Sequence, residues 1–172
     1  QGGYALTILV NKKLIGIRDP FGIRPLIIGK LNKSYVLASE TCALDIIGAK
    51  FIREVDNGEI VIITENGIES IKPFPKIKAR PCIFEYIYFS RPDSLINNIS
   101  VYEYRKKLGA ELAKESHIDS DLIVPVPDSG VPAAIGYSEE IKKNIELGII
   151  RNHYVGRTFI EPTQQIRSFG VK

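Results

Sequence analysis

The chain has 172 residues and a net charge of +3, with 44% hydrophobic and 25% charged residues. This balance is typical of a globular protein, and the small charge argues against a nucleic-acid or membrane partner. No apolar run approaches the roughly 20 residues of a spanning helix, and no signal peptide is evident. We therefore expect a cytoplasmic protein. Methionine is absent, so we expect both ends to continue into a longer protein.

The first 72 residues are predicted to be rich in β-structure. Short polar turns separate paired apolar runs, and Asn66-Gly67 is a strong hairpin signal because both residue types tolerate positive φ. One helix is predicted, ending at Gly48. The expected elements are strands at 4–10, 13–18, 26–31, 34–38, 59–64 and 68–72, and a helix at 41–48. Such a pattern predicts an antiparallel sheet covered on one face.

Residues 73–81 contain three prolines interleaved with basic side chains, which favours a linker over a helix or strand. Beyond it, strands and helices alternate, as in an α/β domain. The predicted elements are strands at 82–89, 122–126 and 147–150 and helices at 101–115 and 131–143. The first of these helices carries an apolar stripe formed by Val101, Tyr104, Leu108 and Leu112.

The most informative stretch is 122–134, where an apolar strand ends in a Pro-Asp-Ser-Gly turn and a helix follows at once. Ligands of open α/β sheets bind beyond the carboxyl ends of strands, and the first N–H groups of a helix attract anions. Gly130 would let the backbone approach a phosphate closely. The alternative is that Asp128 or Ser129 merely caps the helix.

Two further segments are rich in arginine. Residues 151–167 combine arginines with aromatic and amide side chains, so they form either a loop that closes over an anionic ligand or a solvated surface loop. Residues 18–26 place Arg18 and Arg24 on either side of a tight turn. These arginines either bind a carboxylate ligand or pair with local acids.

Three groups of motifs follow one another along the chain: RDPFGIRPL with SYVLASETCALD, CIFEYIYFSRPDS, and PVPDSGVPAAIGY with IRNHYVGRTFIEPTQQIR. Together they resemble the glutamine phosphoribosylpyrophosphate (PRPP) amidotransferase family. The similarity runs from Gly3 to Lys172. RDPFGIRPL alone is less specific, because other amidotransferases carry similar turns.

The resemblance implies a mixed fold, α+β followed by α/β. Residues 1–72 would be the C-terminal part of an Ntn-hydrolase (glutaminase type 2) sandwich, and residues 73–81 a linker. Residues 82–172 would be the first part of a type I phosphoribosyltransferase domain, truncated before its acidic PRPP signature. The implied reaction transfers ammonia from glutamine to PRPP at the start of purine synthesis. A homo-oligomer is expected, with no nucleic-acid or membrane partner.

The resemblance also implies roles for individual residues. The diphosphate of PRPP would bind Asp128, Ser129, Gly130 and Val131, with Ser129 close to a bound Mg²⁺. A further group would form the closing loop and the wall of an ammonia channel. That group comprises Tyr88, Tyr154, Arg157, Thr158, Phe159, Ile160, Pro162, Gln165 and Arg167.

The two cysteines have different expected roles. The nucleophile of the family is a chain-terminal cysteine that uses its own α-amino group as a base. Cys42 lies inside a predicted helix and cannot take that role, so no catalytic residue is assigned and this stretch alone is expected to be inactive. Cys82 matches the first cysteine ligand of a [4Fe–4S] cluster in some family members; the alternative is a small packing residue.

Two other functions remain open on sequence alone. A stand-alone PRPP-binding phosphoribosyltransferase or regulator would explain the strand, turn and helix of 122–134, but it would leave the β-rich residues 1–72 without a use. A non-enzymatic interaction domain would use the 151–167 loop as a binding edge.

Overall fold

The computed structural model describes residues 2–152, 154 and 162–171. Residues 2–72 form antiparallel hairpins and one short helix, as predicted. Their elements are β1 (Ala5–Val10), β2 (Lys13–Arg18), β3 (Ile27–Leu31), β4 (Ser34–Ala38), α1 (Thr41–Ile46), β5 (Lys50–Glu54), β6 (Ile60–Thr64) and β7 (Gly67–Ile71).

The strands form two antiparallel sheets rather than the single sheet expected from the hairpin pattern. One has the order β1-β2-β6-β7 and the other the order β4-β3-β5. Their facing sides share a core of Leu26, Ile28, Val55 and Val61, which are almost fully buried. Because side chains alternate along a strand, the neighbouring Ile27 points the other way and packs against α1.

Two details of these sheets differ from the prediction. β5 was not predicted, because its two apolar residues lie between charged ones in a five-residue edge strand. The last hairpin turns at residues 65–66 rather than at Asn66-Gly67, since Gly67 already pairs with Thr64. Gly67 adopts a φ of 126°, so the glycine is used for its backbone freedom one position after the turn.

Glu59 is a buried carboxylate at the edge of the core. Arg53 donates two hydrogen bonds to it, at 2.7 and 2.8 Å, and Ser70 Oγ donates a third at 2.6 Å. Burial is the largest single influence and opposes ionisation. The hydrogen bonds from Arg53, Ser70 and the backbone N–H of Asp56 together outweigh it and lower the pKa of Glu59 to about 2.

The second half begins with a π-helical turn at Glu85–Phe89, here named the π turn. The remaining elements are β8 (Leu95–Ile96), β9 (Ile99–Ser100), α2 (Val101–Glu115), β10 (Leu122–Ile123), α3 (Val131–Ile141), β11 (Asn144–Ile145) and α4 (Gln164–Val171). In the described part of the chain, no helix is long and apolar enough to cross a membrane.

The strand predicted at 82–89 is wrong, because this segment is helical. Its alternation of apolar and aromatic residues suits a strand, but the backbone closes into the π turn, with Ser90 N–H donating to Glu85 O at 3.0 Å. The guanidinium of Arg105 donates to the carbonyls of Tyr86 and Ser90. These long-range hydrogen bonds stabilise the helical conformation.

The apolar stripe predicted for α2 is also only partly correct. The buried side of α2 is formed by Val101, Arg105, Gly109 and Ala113, spaced four residues apart. Leu112, a member of the predicted stripe, is 53% exposed. Periodicity located the helix, but small residues rather than leucines face its neighbour α3.

A parallel strand pair follows, shorter than expected. β10 and β11 pair in parallel over two residues each, which confirms the parallel arrangement. The strand predicted at 147–150 is wrong, since the strand lies at Asn144–Ile145 instead. Although residues 122–126 are almost wholly apolar, Leu122 and Val126 are 43% and 66% exposed, and Pro125 is buried.

Residues 82–97 pack on the β-rich half although they follow the predicted linker. Cys82 N–H donates to Ile23 O at 3.1 Å. The Glu40 carboxylate accepts from Arg91 N–H and Ser94 Oγ, both at 2.8 Å, and Leu95 N–H donates to Thr41 Oγ1 at 2.8 Å. The start of the second half is therefore docked on the first.

We expect Glu59→Gln to destabilise the protein at neutral pH by on the order of 3 kcal/mol, the linkage value of a carboxyl pKa lowered from 4.5 to about 2. A lowered folded-state pKa stabilises above the ordinary value of 4.5, and this contribution disappears as the pH falls towards 2. Urea unfolding at several pH values should therefore show the difference from wild type shrinking between these limits. Glu69→Gln, on the exposed part of β7, is the control. A difference that does not change with pH would contradict this assignment.

Candidate functional site

The predicted phosphate-binding turn connects β10 to α3. Residues 127–130 form a tight turn in which Gly130 N–H donates to Val126 O at 3.1 Å and Val131 N–H approaches Asp128 O at 3.4 Å. The Pro127–Asp128 peptide bond is cis. The strand–turn–helix arrangement predicted for this stretch is therefore present, with the turn at the carboxyl end of a parallel strand.

Neither Asp128 nor Ser129 caps α3, so the alternative prediction for these residues is wrong. The N-cap residue of α3 is Gly130, no side chain caps the helix, and its first turn contains no acidic residue. The carboxylate of Asp128 instead forms an ion pair with Arg151 at 2.5 Å. A helix start that lacks a side-chain cap and an acidic group suits an anionic ligand.

Gly130 is required for steric reasons rather than for an unusual φ. Its φ is −80°, which any residue can adopt. A Cβ atom there would lie 2.7 Å from the carbonyl oxygen of Val126, closer than real side chains come. Any larger residue would have to displace the turn.

Arg151 is the first residue of the arginine-rich segment 151–167, and the sequence pattern predicts no individual role for it. It follows β11, and the carboxyl ends of the parallel strands β10 and β11 lie at the same edge. Its side chain is 53% exposed and reaches Asp128, so the turn carries both an acid and a cation. The signal that could have found it is its position shortly after a strand parallel to the one that precedes the turn.

The position of α3 depends on an unusually close contact with α2. A Cβ at Gly109 would overlap the carbonyl of Ala133, and a Cβ at Gly136 would overlap the carbonyl of Lys106. Each glycine thus lets the backbone of one helix touch the other. Because α3 begins at Val131, this contact also sets where the candidate turn lies.

The predicted channel residue Tyr88 lies on the π turn in an exposed aromatic cluster. The ring centroid of Phe84 lies 5.7 Å from that of Tyr88 and 5.3 Å from that of Phe89. Tyr88 and Phe89 are each about half exposed. The described residues thus present an aromatic surface beside the junction of the two halves.

Arg18 and Arg24 pair with acids of the chain, which favours the structural alternative for this turn. Arg18 is buried and lies 3.2 Å from Glu54. Arg24 reaches across to the π turn, where it pairs with Glu85 at 2.9 Å and lies over the ring of Phe89, 4.9 Å from its centroid. Both arginines therefore join segments that are distant in sequence.

Only part of the predicted closing loop can be placed. Arg157, Thr158, Phe159 and Ile160 lie outside the described residues. Among the others, the side chain of Tyr154 is fully exposed, and Pro162 and Gln165 are also exposed.

The expectation that this loop lacks any regular structure is wrong for its last part, because residues 164–171 form α4. Thr163 Oγ1 accepts a hydrogen bond from Ile166 N–H at 3.3 Å, the geometry of an N-cap. Within the helix, Arg167 donates to Gln164. A threonine before a polar run could have signalled this start.

The cysteines lie in different surroundings. Cys42 is buried in α1, and burial, the largest influence, raises the pKa of its thiol, which favours the neutral form. Cys82 is half-buried. A [4Fe–4S] cluster takes four cysteine ligands, whereas this chain has two. Among the described residues, no group of three or more His, Cys, Asp or Glu side chains could hold a metal.

Comparisons with known proteins cover the whole chain. No protein-family profile matches it. It is 57% identical to an amidophosphoribosyltransferase of Rhizobium etli, covering 100% of this chain and 36% of that protein. It is 49% identical to the amidophosphoribosyltransferase of Bacillus subtilis, with 100% and 36% covered. The chain therefore spans about a third of the length of these relatives.

Solved structures agree with this result. The chain superimposes on a glutamine PRPP amidotransferase from B. subtilis, complexed with ADP and GMP, with a TM-score of 0.89 at 49% identity. That match covers 100% of this chain and 38% of the other. A structure described as the allosteric regulatory enzyme of purine biosynthesis also gives 0.89 at 49% identity, with 99% and 37% covered. In sequence and in fold, this chain is thus similar over its whole length to one part of the amidophosphoribosyltransferases.

Proposed function

We propose that the complete protein containing this chain is an amidophosphoribosyltransferase. It would hydrolyse glutamine to glutamate and ammonia and join the ammonia to C1 of PRPP. The new bond is C1–N, and the bond that breaks is C1–O, whose electron pair leaves with pyrophosphate. The observation that carries this proposal is the match of the whole chain to such enzymes, at 57% identity in the R. etli relative.

We propose that the two halves serve the two half-reactions. The sandwich of residues 2–72 would belong to an Ntn-type glutaminase domain, residues 73–81 to a linker, and the following residues to the start of a type I phosphoribosyltransferase domain. The two packed antiparallel sheets and the parallel pair β10 and β11 support this division. A stand-alone phosphoribosyltransferase would not explain the β-rich half.

Within the second half, we propose that the turn at 127–131 binds the diphosphate of PRPP. The uncapped start of α3 offers N–H groups and a favourable dipole. Arg151, which is paired with Asp128, adds a cation for a phosphate oxygen. Asp128, Ser129, Gly130 and Val131 would surround the leaving diphosphate.

Mg²⁺ fits this turn through the chemistry of its donors. Proteins usually hold Mg²⁺ with one or two oxygen ligands together with substrate phosphates. The hydroxyl of Ser129 and the carboxylate of Asp128 are such ligands. When bound, the ion would neutralise charge on the departing pyrophosphate, while the chain's own residues position the diphosphate.

The proposed activity is tested by incubating the purified complete protein with PRPP, Mg²⁺ and either glutamine or an ammonium salt. We expect pyrophosphate release with both nitrogen sources, and glutamate formation with glutamine. A well-folded protein that releases no pyrophosphate with either source would contradict the proposal.

The turn assignment predicts that Gly130→Val raises the KM for PRPP by at least roughly tenfold, or about 1.4 kcal/mol of binding. The added side chain cannot fit against the carbonyl of Val126, so the diphosphate contacts move. Initial rates at varied PRPP measure this effect. Glu140→Val, which places the same side chain at the exposed far end of α3, should leave the KM unchanged. An unaltered KM in Gly130→Val would disprove the assignment.

An iron–sulfur cluster at Cys82 remains a prediction, because the two cysteines of this chain cannot supply the four ligands of a [4Fe–4S] cluster. If Cys82 is one of four ligands, the complete protein purified without oxygen contains iron and sulfide, and Cys82→Ser loses both. Metal analysis of the two proteins measures this. Cys42→Ser is the matched control. An iron-free active wild type would identify Cys82 as a packing residue.

The closing loop is likewise proposed from the resemblance. Its residues would shield ammonia from water as it passes between the halves. They are Tyr88, Tyr154, Arg157, Thr158, Phe159, Ile160, Pro162, Gln165 and Arg167. The exposed aromatic cluster that includes Tyr88 supports an apolar path at the junction.

A further inference from the structure

Arg105 is a buried cation whose observed hydrogen bonds go to the backbone. The residue is 2% exposed, and its Nε donates to Tyr86 O at 2.6 Å while Nη2 donates to Ser90 O at 2.7 Å. Burial, the main influence, lowers the pKa of Arg105. Burying a guanidinium costs free energy, so the contacts it makes have to offset that cost.

The two carbonyls lie at either end of one helical turn. Tyr86 is near the start of the π turn and Ser90 directly follows it. A planar guanidinium donates in a fixed fork, so the two bonds hold both carbonyls in one geometry. Tyr88 lies between them in the chain, on the turn whose two ends Arg105 contacts.

Arg105 shares the buried side of α2 with Gly109. It is one helical turn from Gly109, where the backbones of the two helices touch. Closely packed backbones transmit displacements instead of absorbing them. A shift of α3, which begins at the candidate diphosphate turn, would thus reach Arg105 through one rigid contact.

The π turn in turn contacts the β-rich half. Arg24 pairs with Glu85 and lies over Phe89, and Cys82 N–H donates to Ile23 O. Arg105 therefore completes a continuous series of contacts from the diphosphate turn, through α3 and α2, to the junction of the halves.

We propose that Arg105 is a positioning residue for ammonia transfer, because it couples the place of the diphosphate turn to the π turn that carries Tyr88. This inference rests on the proposed function. It assigns Arg105 no contact with either substrate. Its role is to keep the aromatic surface of the π turn aligned with the PRPP site, so that ammonia released in one half is used in the other.

The test compares Arg105→Gln and Arg105→Lys with wild type in the complete protein. Glutamate and phosphoribosylamine formed from glutamine are measured at saturating PRPP, together with synthesis from ammonium salt and with glutamine hydrolysis. Wild type should form both products in equal amounts. In Arg105→Gln, glutamate should exceed phosphoribosylamine by roughly threefold or more, with both partial reactions retained.

Arg105→Lys should give an intermediate excess, because lysine keeps the charge but cannot bridge both carbonyls in a fixed fork. Arg91→Gln is the control, since Arg91 is an exposed arginine of the same region that pairs with Asp93. It should form the two products in equal amounts.

If Arg105 has only a structural role, Arg105→Gln should lower the thermal midpoint and the rates of both partial reactions, while glutamate and phosphoribosylamine still form in equal amounts. This result would overturn the proposal. If Arg105→Gln does not fold, the product ratio of Arg105→Lys decides in the same way. If wild type makes no phosphoribosylamine even from ammonium salt, the proposed function fails, a result that is distinct from equal product amounts in an active variant.

Discussion

The carboxylate of Asp19 is fully buried and accepts hydrogen bonds from the backbone N–H groups of Tyr4, Phe21 and Ile23. A buried carboxylate is tolerated when several donors surround it. By holding three backbone positions at once, it shapes the turn that separates β2 from β3. Arg18 and Arg24 flank this turn. Arg18 pairs with Glu54 inside the first half, whereas Arg24 pairs with Glu85 of the second half.

Charged side chains also form hydrogen bonds with backbone groups along the junction of the halves. Glu40 accepts from Arg91 N–H and Ser94 Oγ, and Arg105 donates to carbonyls of the π turn. Charged side chains here satisfy backbone groups that lie outside regular sheets and helices. Unpaired buried backbone groups are costly, so each of these side chains specifies one local conformation. The segment after the linker is consequently packed on the first half.

Farther along the chain, geometry rather than charge positions the candidate site. Gly109 and Gly136 remove the side chains that would separate α2 from α3, and α3 starts at the turn that we assign to the diphosphate. A similar constraint excludes a side chain at Gly130. The proposed substrate contacts therefore depend on close backbone packing, while Arg151 and Asp128 supply charge at an exposed edge.

The sequence by itself determined the hairpins of the first half, the helices α1 to α3, the strand–turn–helix at Asp128 and the resemblance to amidophosphoribosyltransferases. These features depend on local periodicity, turn chemistry and long motifs, all of which are readable without a partner segment. Tertiary structure alone decided the second sheet, the π turn, the buried face of α2 and the proximity of Arg151 to Asp128. Each of these depends on a contact between residues distant in the chain, such as Arg105 with the carbonyl of Tyr86. Local patterns cannot distinguish a strand from a helical turn when a distant guanidinium stabilises one of them.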